Sequence, residues 1–337
     1  MHSLRHSSRI GLVVAAVLVV IGLLAACGKR RANEVGADGL TKVRFQTDWF
    51  PQPEHGGYYQ ALAKGYYAEE GLAVEIIPGG PNAQVMTGVA TGRAHLGMTN
   101  GDDVIVAASR GVPLKMVAAE MQRDAQGILY HAGNPIRSLQ DLEGKTIMAG
   151  AGSVWLQVLR EKYGIKFNLR PLIGDLTRFI QDQSFVQQCF VTNEPFFLRQ
   201  RGVDVGALLI AHPGYEAYRV IFASDGYLAT NPEVVRRFVR ASLRGWTDYL
   251  TGDPGPANAL LKQLRPDLPE EFFAFSIQAM KDHQLVLGDP ARGEKMGQLT
   301  RARLETQLKL LRELRLLERP LAVDDVARLD LLPPEAR

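Results

Sequence analysis

Eight residues near the start of the chain, Asp48 to His55, hold an acid, a large ring, a second acid and a titratable base: Asp48, Trp49, Glu54 and His55. A carboxylate accepts N–H bonds from an amino group on a heteroaromatic ring, and an indole stacks on such a ring for roughly 1–3 kcal/mol. His55 can meet a ligand oxygen or donate to Asp48, although a histidine at a helix start serves structural roles equally well. Glu194 is the counterpart far along the chain. It stands between an apolar run and Pro195, where a carboxylate can accept two N–H bonds and helix N–H groups favour its charge. Asn82, Thr99 and Asn100 fall at the ends of successive apolar runs, where each is suited to capping as well as to binding. Trp155 follows Gly152 closely and can close over a ring or fill a core, while Gly150 to Ser153 offers N–H groups to an anion. A cleft built from Asp and Glu nevertheless favours a ligand with N–H donors. No catalytic residue is expected among them. There is no paired Cys/His spacing, so neither a metal nor a cofactor is expected.

Such residues need strand ends and helix starts to hold them. Val43 to Thr47 is apolar and β-prone, and Pro51 and Pro53 stop it in a turn. Tyr58, Leu62, Tyr66 and Tyr59, Ala63, Tyr67 then form i, i+4 rows that predict a helix running to Gly71. Strands over 72–77, 96–99 and 114–119 alternate with helices over 85–89 and 100–109, which implies βαβ units and a parallel sheet. The alternation restarts after 128–131, with strands near 145–149, 167–172, 185–191 and 205–210. Two crossings, near 130 and 215, then divide the chain into two α/β lobes joined by a two-strand hinge able to close on a small molecule. The expected organisation is 42–130 plus 216–337 for the first lobe and 131–215 for the second. From Asn231 onward helices dominate, including a long charged one over 294–317.

The first 26 residues carry Arg5 and Arg9, an uncharged run from Ile10, and Leu24-Ala25-Ala26 ahead of Cys27. That order describes an export signal ending at a bacterial lipobox, with Cys27 lipidated and 27–41 a polar tether. The expected location is the outer face of the cytoplasmic membrane or the periplasm. Taking 26 residues and two arginines from a 337-residue chain of net charge +3 leaves 311 residues at +1. That gives no electrostatic basis for holding nucleic acid. Cys189 remains as the one other cysteine, inside an apolar run, and reads as a small buried hydrophobe.

Taken together, the lipobox, DWFPQPEHGGYYQALAKGYYAEEGL (48–72), GRAHLGM (92–98), DLEGKTI (141–147) and TNPEVVRRFVRA (230–241) resemble ABC-importer substrate-binding proteins of the nitrate, sulfonate and thiamine-precursor superfamily. The resemblance covers about 42–285 and is nearest the branch that binds formylaminopyrimidine or hydroxymethylpyrimidine. It implies a two-lobed periplasmic-binding-protein-like fold, each lobe a mostly parallel sheet flanked by helices. It also implies a monomer that delivers a small heteroaromatic ligand to a permease and its ATPase. Of Tyr58 and Tyr59 it favours Tyr59 for the cleft. Riboflavin, nitrate or sulfonate are alternative cargoes. The same fold includes thiamine-pyrimidine synthases, in which the resemblance implies a lysine at Thr99, a histidine near Asp103 and a cysteine-rich run near 215–218. This chain has none of these, and Thr99 offers no amine for a Schiff base.

Overall fold

The computed structural model describes residues 34–337 apart from Asn82, Ala151, 173–175 and Pro213. The expected signal, the lipid site at Cys27 and the candidate Asn82 lie outside the described residues. Among those residues, no helix is long and apolar enough to cross a membrane.

Among the described residues, ten strands form two five-stranded sheets. The first takes β1 (Thr41–Gln46), β2 (Leu72–Ile77), β3 (Leu96–Asn100), β4 (Leu114–Met121) and β10 (Arg219–Ser224) in the order β2-β1-β3-β10-β4. β1 is parallel to β2 and β3, and β10 runs antiparallel between β3 and β4. The second takes β5 (Gln126–His131), β6 (Thr146–Ala149), β7 (Asn168–Pro171), β8 (Val186–Phe190) and β9 (Val205–Leu209) in the order β7-β6-β8-β5-β9. β6 is parallel to β7 and β8, whereas β5 is antiparallel to β8 and β9. Each sheet is therefore mixed, with one reversed strand. In each it is a strand next to a crossing, since the chain leaves β4 for β5 and returns from β9 to β10. β5 belongs to the second sheet from Gln126 onward, a few residues before the boundary expected at 131.

Thirteen helices accompany the sheets among the described residues. They are α1 (Gly56–Ala63), α2 (Tyr66–Glu69), α3 (Val85–Ala90), α4 (Gly101–Ser109), α5 (Val154–Gln157), α6 (Thr177–Gln181) and α7 (Glu194–Gln200). There follow α8 (Asp225–Thr230), α9 (Pro232–Thr251), α10 (Gly255–Leu264), α11 (Glu270–Asp282), α12 (Arg301–Glu313) and α13 (Val323–Val326). The single helix expected to run to Gly71 is two, because Gly65 takes φ +75° between α1 and α2. The helix expected over 294–317 is shorter. Gly297 is left-handed at φ +81°, and Thr300 then caps α12 by accepting from the Arg303 N–H. Its leucines 304, 308 and 311 are buried, so only the charged side of the helix is solvated.

The first sheet and the C-terminal helices share one large core, with Tyr58, Phe45, Phe238 and Trp246 at its centre. The second sheet has smaller apolar clusters, one around Trp155, Leu156 and Ile147 and another around Phe179, Leu198 and Cys189. Cys189 is buried and free, as its apolar setting predicts. The second sheet is also tied to the C-terminal helices through Phe196 of α7, whose ring lies 5.4 Å from Phe272 and 5.5 Å from Phe275 of α11.

Candidate functional site

The loop after β1 is held against the end of β2. The Thr47 N–H donates to the Ile77 carbonyl at 3.0 Å and the Gly79 N–H to the Trp49 carbonyl at 3.0 Å. A side chain at Gly79 would overlap the Thr47 and Asp48 backbone, so this approach requires glycine. The loop so placed presents Trp49 and Phe50 with their rings 5.5 Å apart and edge to face, each about two-fifths exposed. Both rings line a cavity of about 460 Å³. Gln52, Gln188, Asn193 and Glu194 supply its polar wall, and Phe190, Phe197 and Leu172 its apolar one. Trp49 and Glu194, the two candidates from opposite halves of the chain, thus meet in one space.

Glu194 opens α7, but its carboxylate turns back to accept the Phe190 N–H at 2.8 Å. Burial pushes it up to about 7, against the expectation that the helix start keeps it ionised. Beside it, the buried Glu54 is likewise pushed up to about 7, by burial first and by the Glu194 charge as a smaller cause. Glu54 accepts a 2.5 Å hydrogen bond from the Thr192 hydroxyl, and Asn193 donates to Gln52 Oε1 at 2.9 Å. These two bonds join the loop after β1 to the turn after β8.

Asp48 has a different role from that of an open acceptor. Its Oδ2 accepts from Arg219, a buried side chain on β10, and its Oδ1 stands 3.6 Å from His55 Nε2. Burial pushes His55 down to about 3, so the imidazole is neutral and this contact is not an ion pair. Arg219 also donates to Asn100 Oδ1 at 3.1 Å and lies 3.5 Å from Glu120 and 3.6 Å from Asp124. Its guanidinium sits 5.4 Å from the ring centre of Phe190. Burial lowers it only to about 10, so it stays charged.

Asn100 and Trp155 meet in a second, small cavity of about 20 Å³, together with Asp102, Asp103, Asp124 and Gln126. Thr99 donates to Asp103 Oδ2 at 3.4 Å. Tyr59 is buried in the large core and lines neither cavity, as is Tyr58, whose ring packs 4.5 Å from Phe45. The candidates therefore divide. Trp49 and Glu194 share the larger cavity, Asn100 and Trp155 the smaller, and Asp48 stands between His55 and Arg219. Arg219 and Asp124 escape a reading by motif, although an arginine opening the apolar run 219–223 is a signal that a buried charge is being held there.

The chain is 30% identical over 256 residues to the riboflavin-binding protein RibY of Chloroflexus aurantiacus, covering 73% of this chain and 68% of that protein. It is 26% identical over 267 residues to the formylaminopyrimidine-binding protein of Halalkalibacterium halodurans, covering 74% and 78%. The alkanesulfonate-binding protein SsuA from Xanthomonas axonopodis pv. citri shares its fold, with a TM-score of 0.63 at 17% identity over 88% of this chain and 99% of that one. The two-lobed periplasmic-binding-protein fold implied by the sequence is the fold the chain adopts. The NMT1/THI5-like family matches residues 52–257, and the chain belongs to it.

Proposed function

We propose that this protein is the solute-binding component of an ABC importer, and that its cargo is a flat nitrogen heterocycle, a thiamine pyrimidine precursor. The observation that carries this reading is the cavity of about 460 Å³ into which Trp49 and Glu194 both face. It lies within the usual size range of small-molecule sites. Trp49 stacks on the ring, Glu194 accepts its amino N–H groups, and Gln188 and Asn193 complete the polar wall. Asp48, held by Arg219, and His55 position the loop that carries Trp49. Asn100 and Trp155 face the cargo from the smaller cavity, and Thr99 supports that wall through Asp103. The two lobes close on the cargo by motion about the paired crossings. Lipidation at Cys27 holds the mature chain, as a monomer, outside the cytoplasmic membrane near its permease and ATPase. The relative that binds formylaminopyrimidine supports the pyrimidine reading. Riboflavin is the second reading, favoured by the relative of that name and by a cavity larger than a single pyrimidine needs.

A thermal-shift series on the mature domain tests the reading with formylaminopyrimidine, hydroxymethylpyrimidine, thiamine, riboflavin, nitrate and taurine. A cargo at 100 times its dissociation constant adds about 2.7 kcal/mol of stability. Response to nitrate or taurine alone would remove the heterocycle from the proposal. Glu194→Gln is expected to weaken pyrimidine binding about tenfold or more while leaving the unliganded Tm within a few degrees. Equal loss in both would make Glu194 structural. A synthase would need an amine where Thr99 stands, and the Thr99 hydroxyl instead contacts Asp103. Imine absorbance on mixing with pyridoxal phosphate would overturn the choice of a binding protein.

A further inference from the structure

The smaller cavity has a charge imbalance that the Trp49–Glu194 site does not explain. Three carboxylates, Asp48, Glu120 and Asp124, lie within 4 Å of the one guanidinium of Arg219. Of these three only Asp124 lines the smaller cavity, where Asp102 and Asp103 add two more carboxylates. Asp102 is satisfied, since its two oxygens accept from the Tyr215 hydroxyl at 2.7 Å and from Gln307. Asp103 has only the long contact from Thr99.

Gln126 provides an independent sign that something belongs there. It lines the cavity, is 8% exposed, and its Oε1 has no hydrogen-bond partner. A buried amide oxygen without a donor is costly, and the half-buried Asp103, with its one long contact, is short of donors beside it. The acceptors that remain call for N–H donors carrying positive charge. The space of about 20 Å³ holds roughly one water-sized group, which admits an ammonium and excludes a ring. The Trp155 ring lines the same space and provides the aromatic wall that a cation favours. Its indole N–H, also without a partner, would suit an oxygen, so a hydroxyl is the competing occupant.

We propose that the corner formed by Asp103, Asp124, Gln126 and Trp155 is a subsite for a compact cationic substituent, so that the cargo carries a protonated aminomethyl group. This rests on the reading of the cleft as a solute site. Burial supports it, since it pushes Asp103, which has no ion-pair partner among the described residues, up to about 6, and Asp124 to about 7 even though Asp124 accepts from the Gln126 N–H at 2.8 Å and lies 3.6 Å from Arg219.

The test uses two ligands that differ in one group, 4-amino-5-aminomethyl-2-methylpyrimidine and its 5-hydroxymethyl counterpart, titrated calorimetrically into the mature domain at pH 7.5. The amine is expected to bind about tenfold tighter or more, the scale of one charge-assisted hydrogen bond. Asp103→Asn and, on a different element, Gln126→Leu are each expected to reduce that advantage to about threefold or less. Asp103 has no ion-pair partner among the described residues, so its amide is expected to leave the Tm unlowered and the variant interpretable. Equal or tighter binding of the hydroxymethyl compound overturns the proposal. A second arm separates this outcome from failure of the pyrimidine reading. Methylammonium chloride should raise the Tm above that in sodium chloride at equal ionic strength, tetramethylammonium should not, and Asp103→Asn should abolish the difference. If neither pyrimidine binds but this pattern holds, the subsite stands and the pyrimidine cargo falls. No response to methylammonium, or an equal response to both ions, overturns the subsite.

Discussion

Trp49 is the residue whose exposure fits recognition better than packing. About two-fifths of it faces solvent at the mouth of the larger cavity, and its ring neighbour is the equally exposed Phe50. Removing an exposed ring costs little folding free energy, whereas removing a stacking surface for a heterocycle costs roughly 1–3 kcal/mol of binding. Trp49→Ala is therefore expected to weaken cargo binding roughly 5- to 150-fold in calorimetric titration, with the unliganded Tm nearly unchanged. A large drop in Tm without loss of affinity would assign Trp49 to the fold. Trp155 and Tyr59 are the contrasting cases, since both are almost fully buried and their truncation would confound folding with binding.

At the scale of elements, the position of the Trp49 loop depends on how α1 packs on α9. Gly57 meets the Trp246 ring so closely that a side chain there would overlap it, and Gly245 is held equally close to the Gly57 carbonyl. Aromatic side chains complete the interface, with Tyr67 of α2 stacked on Phe238 at 5.3 Å. Gly245→Ala offers backbone, not a mobile side chain, as the obstacle, so the helices must separate. It is expected to destabilise the protein by about 2–3 kcal/mol, read as a lower urea midpoint at unchanged slope. An unaltered midpoint would show that the two helices are not in tight contact.

At the scale of the whole molecule, buried acids determine how stability responds to pH. Burial raises Glu54, Glu194 and Asp124 to about 7 and Asp102 and Asp103 to about 6, all above their ordinary values. Between those ordinary values and the raised ones, the folded chain holds protons that the unfolded chain has released. Stability therefore falls as pH rises through this window, by on the order of 2 kcal/mol for each such group. His55 acts in the opposite direction, because its lowered value makes stability fall as pH drops from about 6.5 towards 3. Five acids outweigh one histidine between about pH 5 and 7. The unliganded domain is thus expected to melt lower at pH 8 than at pH 5.5. Glu54→Gln, which can still accept from the Thr192 hydroxyl, is expected to raise the Tm at pH 8 and flatten the profile. A Tm that rises steadily from pH 5.5 to 8 would contradict the burial of these carboxylates.

Local pattern determined much of this protein. Alternating strands and helices, the Ser138–Asp141 capping box, proline at the start of α9 and the stop at Gly71 are all signals carried by neighbours a few residues apart. They made the strand ends legible, and with them the positions of Asp48, Trp49, Asn100 and Glu194. Only the tertiary structure decided the charge state and partnership of those residues. Arg219 reaches Asp48 across 171 positions and Thr192 reaches Glu54 across 138, and no periodicity encodes a contact at such separation. Desolvation has the same origin. A carboxylate's proton affinity depends on everything that excludes water from it, so Glu194 reads as an ionised helix-start acid in sequence and as a buried, raised one in the fold.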